Sequence, residues 1–96
     1  MTDDVGVVVR IPSALTELAG GRTLTLTPAP ADVAGLLDAI GELRPALARR
    51  VRDETGALRR FVNVYVDGDD IRHLDGLATP LRPGSEVHVL PSVAGG

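Results

Sequence analysis

The 96-residue sequence contains neither cysteine nor lysine, and these two absences exclude several kinds of chemistry. Without a thiol the chain has no disulfide, no thiolate metal ligand and no sulfur nucleophile on a side chain. Without a lysine it has no side-chain amine for a Schiff base or an isopeptide bond. All ten basic residues are arginines. Any sulfur that this protein handles must therefore be held on something other than a thiol of its own.

Aromatic residues and long apolar runs are also scarce. Phe61 and Tyr65 are the only aromatics, so the core must be built from aliphatic side chains. Charges or prolines interrupt every apolar run before it reaches the length that spans a bilayer. Residues 1–4 are acidic at two positions and lack the basic region of a signal peptide. The length suits one domain, and we expect a cytoplasmic protein without a membrane partner.

The formal net charge of −3 argues against a nucleic-acid partner, which requires a basic surface. Neither His73 nor His88 stands in a triad context, and no serine lies in a nucleophile-elbow motif. Aspartates surround Arg72 and His73, but their spacing matches no metal-ligand pattern and is typical of a solvated hairpin tip. The sequence therefore predicts no independent catalysis, no metal site and no bound cofactor.

Several segments are predicted to form strands. Residues 5–11 are rich in β-branched side chains, and residues 22–27 alternate between polar and apolar. Residues 61–66 precede an Asp-Gly hairpin signal, Ile71 is placed in a short return strand, and residues 86–90 form the last strand.

One main helix is predicted to begin near Asp32, which lies after two prolines that end the second strand. Its apolar stripe recurs at helical spacing and comprises Val33, Leu36, Leu37, Ile40 and Leu43. Pro45 ends or restarts this helix, and Leu47 and Val51 continue the apolar face. Residues 49–60 carry many charges and are predicted to form an exposed loop.

This order of elements indicates an α+β domain in which one helix covers one face of a mixed sheet of four or five strands. The crossover rule allows the first and last strands to lie side by side and parallel at the centre. That arrangement is the β-grasp, or ubiquitin-like, fold. We therefore divide the chain into a β-grasp domain at 1–90 and a flexible C-terminal tail at 91–96.

The tail consists of Pro91, Ser92, Val93, Ala94, Gly95 and Gly96. Pro91 cannot donate a hydrogen bond to a sheet, and six extended residues reach roughly 20 Å. The last two residues have no Cβ, so this end of the chain fits a slot too narrow for other residues. We interpret the Gly96 carboxylate as the reacting group, with Val93, Ala94 and Gly95 as the residues by which a partner recognises the tail.

Because a single helix covers one sheet face, the other face is predicted to be open to solvent and available for docking. The alternation places on it Val8, Arg10, Phe61, Asn63, Tyr65, His88 and Leu90. The partner-binding residues are predicted to be Phe61, Asn63, Tyr65, His88 and Leu90. The alternative is that these are ordinary exposed residues, or that Phe61 belongs to the core.

The C-terminal half carries a family resemblance. Residues 60–66 (Arg-Phe-Val-Asn-Val-Tyr-Val), residues 70–72, residues 76–79 and the tail that ends in Gly95-Gly96 resemble the ubiquitin-like ThiS/MoaD sulfur carriers. Within that family they look most similar to the actinobacterial carriers of cysteine biosynthesis. The first half resembles the family in pattern rather than in residues.

The resemblance implies a mechanism in which partners supply the catalysis. An E1-like adenylyltransferase and sulfurtransferase of the MoeB/ThiF type uses Mg-ATP to adenylate the Gly96 carboxylate, and a sulfur donor then displaces AMP to leave a thiocarboxylate. A sulfur-accepting synthase, similar to cysteine synthase and using O-phosphoserine, takes the sulfur. A metalloprotease or hydrolase releases the product.

Three alternatives remain open at this point. The second hypothesis is the small subunit of molybdopterin synthase, which shares the tail but forms a lasting heterodimer with a large subunit. A ubiquitin-like covalent protein modifier would end as an isopeptide on other proteins. A plain binding domain would carry the tail incidentally.

Overall fold

The computed structural model describes residues 5–91. The strands are β1 (Val7–Arg10), β2 (Thr23–Leu26), β3 (Val62–Val66), β4 (Asp69–Asp70) and β5 (Glu86–Pro91). The helices are α1 (Thr16–Ala19), α2 (Val33–Leu43) and α3 (Pro45–Val51), with 3₁₀ turns at Ser13–Leu15, Ile71–His73 and Gly76–Ala78.

The five strands form one mixed sheet in the order β2-β1-β5-β3-β4. β1 pairs antiparallel with β2 and parallel with β5, while β3 pairs antiparallel with both β5 and β4. The first and last strands therefore lie side by side and parallel, with β5 at the centre. This topology confirms the predicted β-grasp fold.

α2 and α3 cover one face of the sheet. Asp32 caps α2, since its side chain accepts a hydrogen bond from the Gly35 amide at 2.8 Å. The buried residues of the helices are Val33, Leu36, Leu37, Ile40, Leu47 and Val51, and those of β1, β3 and β5 are Val7, Val9, Val64, Val66, Val87 and Val89. The core is aliphatic, as the scarcity of aromatics predicted.

Three sequence predictions about local structure were wrong. Leu43 does not belong to the buried stripe: it is the last residue of α2, next to the C-cap Arg44, and is 53% exposed. Ile71 is buried in a 3₁₀ turn after β4, since Asp70 caps that turn by accepting the Arg72 amide at 2.9 Å. The segment predicted as a loop at 49–60 begins within α3.

The rest of that segment, residues 52–60, is tied to the body of the protein. Arg52 forms an ion pair with Asp38 of α2 at 2.7 Å, and its backbone bridges to Leu58. The Asp53 side chain accepts hydrogen bonds from the Thr55 amide and hydroxyl and from the Ala57 amide. These bonds lower the pKa of Asp53, with the Thr55 hydroxyl bond contributing most.

Candidate functional site

The open face of the sheet brings together most of the predicted partner-binding residues. Since Val64, Val66, Val87 and Val89 are buried under the helices, the side chains that alternate with them lie on the opposite face. The register places Asn63 opposite Leu90, and Tyr65 opposite His88. Asn63, Tyr65 and His88 are half-buried, and Leu90 is 42% exposed. These four residues therefore form one patch across β3 and β5, called here the open-face patch.

A charged cluster borders the open-face patch on the side of β1. Arg10 pairs with His88 in the parallel register, and its Nε lies 3.1 Å from Glu86 Oε1. His88 Nε2 lies 2.8 Å from the same oxygen. The hydrogen bond from Arg10, and next that from His88, lowers the pKa of Glu86, while Glu86 raises the pKa of Arg10. The cluster fixes the side chain of His88 within the open-face patch.

Glu86 was missed in the sequence analysis. It stands two residues before His88 and alternates with buried Val87, so it shares the face of His88. The parallel pairing of β1 with β5, once predicted, brings this acidic side chain next to Arg10. The shared face of Glu86 and His88, together with the parallel pairing of β1 and β5, would have predicted the ionic cluster.

Phe61 is separated from the open-face patch. It precedes β3, is 48% exposed, and lines a depression together with Leu15, Val62 and Val89. Val89 is buried on the helix-covered side of the sheet, so the depression opens at the end of the core rather than on the open face. The Arg60 guanidinium lies 5.9 Å from the centre of the Phe61 ring. The placement of Phe61 by simple alternation was therefore wrong.

The chain leaves the described part of the structure from the middle of the sheet. β5 lies between β1 and β3 and extends to Pro91, which pairs with Val62. Val93, Ala94, Gly95 and Gly96 lie outside the described residues, so their predicted roles stay predictions. The last described residue, Pro91, therefore lies at the end of a central strand and directly follows Leu90 of the open-face patch.

The predicted hairpin tip is held by an ion pair. Asp70 and Arg72 are joined by three side-chain contacts, the shortest being 2.6 Å between Arg72 Nη2 and Asp70 Oδ2. Within residues 5–91, no three acidic or histidine side chains are close enough to hold a metal ion. In the same part of the chain, no helix has the length and apolarity needed to cross a membrane.

Comparison with known proteins identifies the family. A sequence model of the ThiS family matches residues 9–96, which is nearly the whole chain. The chain belongs to the ThiS family. This assignment confirms the resemblance noted in the sequence and includes Gly95 and Gly96 within the matched region.

Proteins similar to this ThiS-family chain include sulfur carriers and small archaeal modifier proteins. The sulfur carrier protein CysO of Mycobacterium tuberculosis is 37% identical, and the alignment covers 96% of this chain and 100% of that protein. The structure of the Amycolatopsis orientalis BexX/CysO complex contains a chain with a TM-score of 0.80 and 34% identity, covering 95% of this chain and 100% of that chain. The small archaeal modifier protein 1 of Methanosarcina acetivorans has a TM-score of 0.80 and 33% identity, covering 94% and 95% of the two chains.

Proposed function

We propose that this ThiS-family protein is a cytoplasmic sulfur carrier whose Gly96 carboxylate is converted into a thiocarboxylate by partner enzymes. The main support is the family match, which runs through Gly95 and Gly96, together with the full-length similarity to proteins named sulfur carriers. The absence of cysteine and lysine agrees with this role, because the carrier needs no reactive side chain of its own.

The activation chemistry begins at the carboxylate. A carboxylate oxygen of Gly96 attacks the α-phosphorus of ATP, the bond to the β-phosphate breaks, and pyrophosphate leaves. The product is an acyl-adenylate, whose carbonyl carbon is now electrophilic. An E1-like enzyme binds the Mg-ATP and stabilises the negative charge that develops on the transferred phosphate.

Sulfur then replaces oxygen at the same carbon. A sulfide equivalent adds to the carbonyl, and the C–O bond to the phosphate breaks, so that AMP departs and a C-terminal thiocarboxylate remains. This protein contributes to the reaction rate by positioning the Gly96 carbonyl in the active site of the enzyme. The open-face patch docks the enzyme, and the glycine pair carries the carbonyl through a narrow passage.

The acceptor that best fits the similarity to CysO is an enzyme resembling cysteine synthase, which uses O-phosphoserine. The thiocarboxylate sulfur forms a bond to the β-carbon of the activated serine while the bond from that carbon to the phosphate oxygen breaks, so the new amino acid is joined to Gly96 through a thioester. Hydrolysis or proteolysis then frees the amino acid and restores the Gly96 carboxylate for another cycle.

Intact-mass spectrometry tests this function. The protein is incubated with ATP, sulfide and an E1-like enzyme, and its mass should rise by the difference between sulfur and oxygen. A chain that lacks Gly96 serves as the control and should not change. An unchanged mass of the full-length protein with activating enzymes of this type from its own organism would contradict the proposal.

A covalent protein modifier is the second candidate, because the structural likeness extends to an archaeal modifier protein. Adenylation would be shared, but a lysine amine of another protein would then attack Gly96. This chain has no lysine and so could not form lysine-linked chains with itself. Conjugates of higher mass that contain this chain, seen in cell extracts, would favour the modifier over the carrier.

A further inference from the structure

A depression at one end of the core is not explained by the open-face patch. It has a volume of about 450 Å³ and combines an apolar floor with a positively charged rim. The floor is formed by Ala14, Leu15, Phe61, Val62 and Val89. The rim is formed by Arg50, Arg59 and Arg60. We call these eight residues the arginine-rimmed depression.

The rim is a concentration of positive charge that is only partly offset, since Asp53 interacts electrostatically with Arg59. Within residues 5–91, none of the three rim arginines forms a salt bridge with a carboxylate, whereas Arg10, Arg52 and Arg72 do. The whole chain carries a formal charge of −3, so this positive cluster runs against the overall balance. Exposed apolar surface ringed by arginines has the composition of a docking site for a surface of opposite charge.

The depression adjoins the point at which the chain leaves the sheet. Val62, in its floor, pairs with Pro91 at the end of β5. Phe61 is the residue before Val62 and is half exposed. Any protein that takes hold of the tail beyond Pro91 therefore comes within reach of this depression as well as of the open-face patch.

We propose that the arginine-rimmed depression docks an acidic segment of the activating enzyme, with one bulky apolar side chain of that segment inserted against Phe61 and Leu15. The inference rests on the proposed function for the identity of the partner. Acidic side chains beside the inserted residue pair with Arg50, Arg59 and Arg60. The activating enzyme then contacts the carrier both at the open-face patch and at the depression, on the two sides of the point at which the chain leaves the sheet.

A paired charge reversal tests the rim. Arg50→Glu combined with Arg60→Glu leaves Arg59 in place, because Arg59 donates a structural hydrogen bond to the Arg49 carbonyl. Its matched control combines Arg22→Glu with Arg82→Glu, two exposed arginines outside the depression. Binding to the E1-like enzyme is measured by calorimetry without ATP. The rim variant should weaken Kd by about tenfold or more, and the control by about twofold at most.

Two further measurements test the depression: the dependence of binding on salt concentration, and the effect of substituting Phe61 in its floor. Raising the salt concentration should weaken binding of the unmodified protein more than that of the rim variant, since the rim variant lacks the attraction that salt screens. Phe61→Ala should weaken binding, and Phe61→Leu should restore most of it. Unfolding curves show whether each variant remains folded.

The outcomes distinguish this inference from the proposed function. Equal Kd values for the rim variant and its control, or a failure of the unmodified protein to bind, would overturn the docking proposal. Tighter binding by the rim variant would assign the depression to the chain's own tail, and a rim-dependent dimer in sedimentation would assign it to a second copy. Either of these two results would also overturn the docking proposal. Normal binding without any gain of sulfur would overturn the proposed function alone.

Discussion

At the scale of single residues, Asp70 has the most strongly lowered pKa among the carboxylates of residues 5–91. Hydrogen bonds from the Arg72 side chain and then from its amide lower the pKa of Asp70 to about 2. Its side chain is only 9% exposed although it lies in a surface hairpin. The ion pair therefore closes the turn between β4 and the 3₁₀ helix that buries Ile71.

Asp70→Asn should lower the stability of the protein at neutral pH by removing the charged partner of Arg72. The folded pKa of Asp70 lies below the value of about 3.9 in an unfolded chain, so the stabilisation is full above that value and fades as the pH falls towards the folded pKa. Urea unfolding at pH 7 and near pH 2 should show a difference from wild type that shrinks in acid. Asp69→Asn, the same change at the neighbouring position, is the control. A difference that stays constant over this range would contradict the ion-pair explanation.

Gly6 is a second residue whose identity the fold requires. Its φ is +74°, and a Cβ at this position would collide with the Leu26 carbonyl and the Thr27 hydroxyl. Gly56 has a similar φ of +89° but open space around it. Comparing alanine substitutions at these two positions therefore separates the free-energy cost of the left-handed backbone from the cost of a steric clash.

Gly6→Ala should lower the free energy of unfolding by about 2–4 kcal/mol, because it combines a left-handed backbone with a steric clash against β2. Gly56→Ala should lower it by about 1 kcal/mol, from the backbone conformation alone. Urea unfolding of both variants measures the difference. Equal losses at the two sites would show that β1 and β2 do not approach as closely as described.

At the scale of elements, the strands were the easiest part of the fold to predict. In β5 the polar residues Glu86 and His88 alternate with Val87 and Val89, and in β1 the placement of Arg10 on the solvent side puts Val9 on the inward face. The parallel pairing of the first and last strands followed from the crossover rule rather than from any residue.

The errors arose where an element ends. Leu43 fits the helical period of α2, but the period carries no information about where the helix leaves the sheet. Phe61 fits the alternation of β3, but the strand begins one residue later, and the side chain turns towards the arginine-rimmed depression. The arginine rim joins residues from α3 and from the segment before β3, and a local sequence pattern cannot show that these meet.

Leu43, which is exposed at the end of α2, provides a control for a test of the open-face patch. Leu90→Arg replaces an exposed apolar residue of β5 in the patch, and Leu43→Arg makes the identical change on the helix layer. If the activating enzyme docks on the open face, Leu90→Arg should raise its KM for the carrier by about tenfold, as expected for a central interface residue. Leu43→Arg should leave KM within about twofold, as expected for a residue outside the interface.

Steady-state formation of AMP and pyrophosphate by the activating enzyme measures both KM values. Thermal unfolding confirms that each leucine variant remains folded. An equal rise in KM for the two variants would place the docking surface elsewhere.

At the scale of the whole molecule, the β-grasp body is organised around β5. This strand lies between β1 and β3 and ends at Pro91. Its outward side chains His88 and Leu90 belong to the open-face patch, and its inward side chain Val89 lies in the floor of the depression. One strand thus joins both candidate docking surfaces to the segment that carries Gly96. Under the proposed function, the fold supplies recognition and the reaction takes place at the carbonyl carbon of Gly96.

Because the chain contains so little sulfur, the position of an added sulfur atom can be measured directly. Met1 is the only sulfur-containing residue, because the sequence has one methionine and no cysteine. Trypsin does not cleave the Arg82-Pro83 bond, so it releases residues 73–96 as one peptide that is free of sulfur unless the C-terminus has been modified.

The decisive measurement is to supply radioactive sulfide with ATP and an E1-like enzyme, digest the protein, and locate the label. We predict one labelled peptide, residues 73–96, with fragmentation placing the sulfur on Gly96. Label in any other peptide, or an unlabelled C-terminal peptide from a protein that binds the enzyme normally, would contradict a carrier that reacts at its C-terminus.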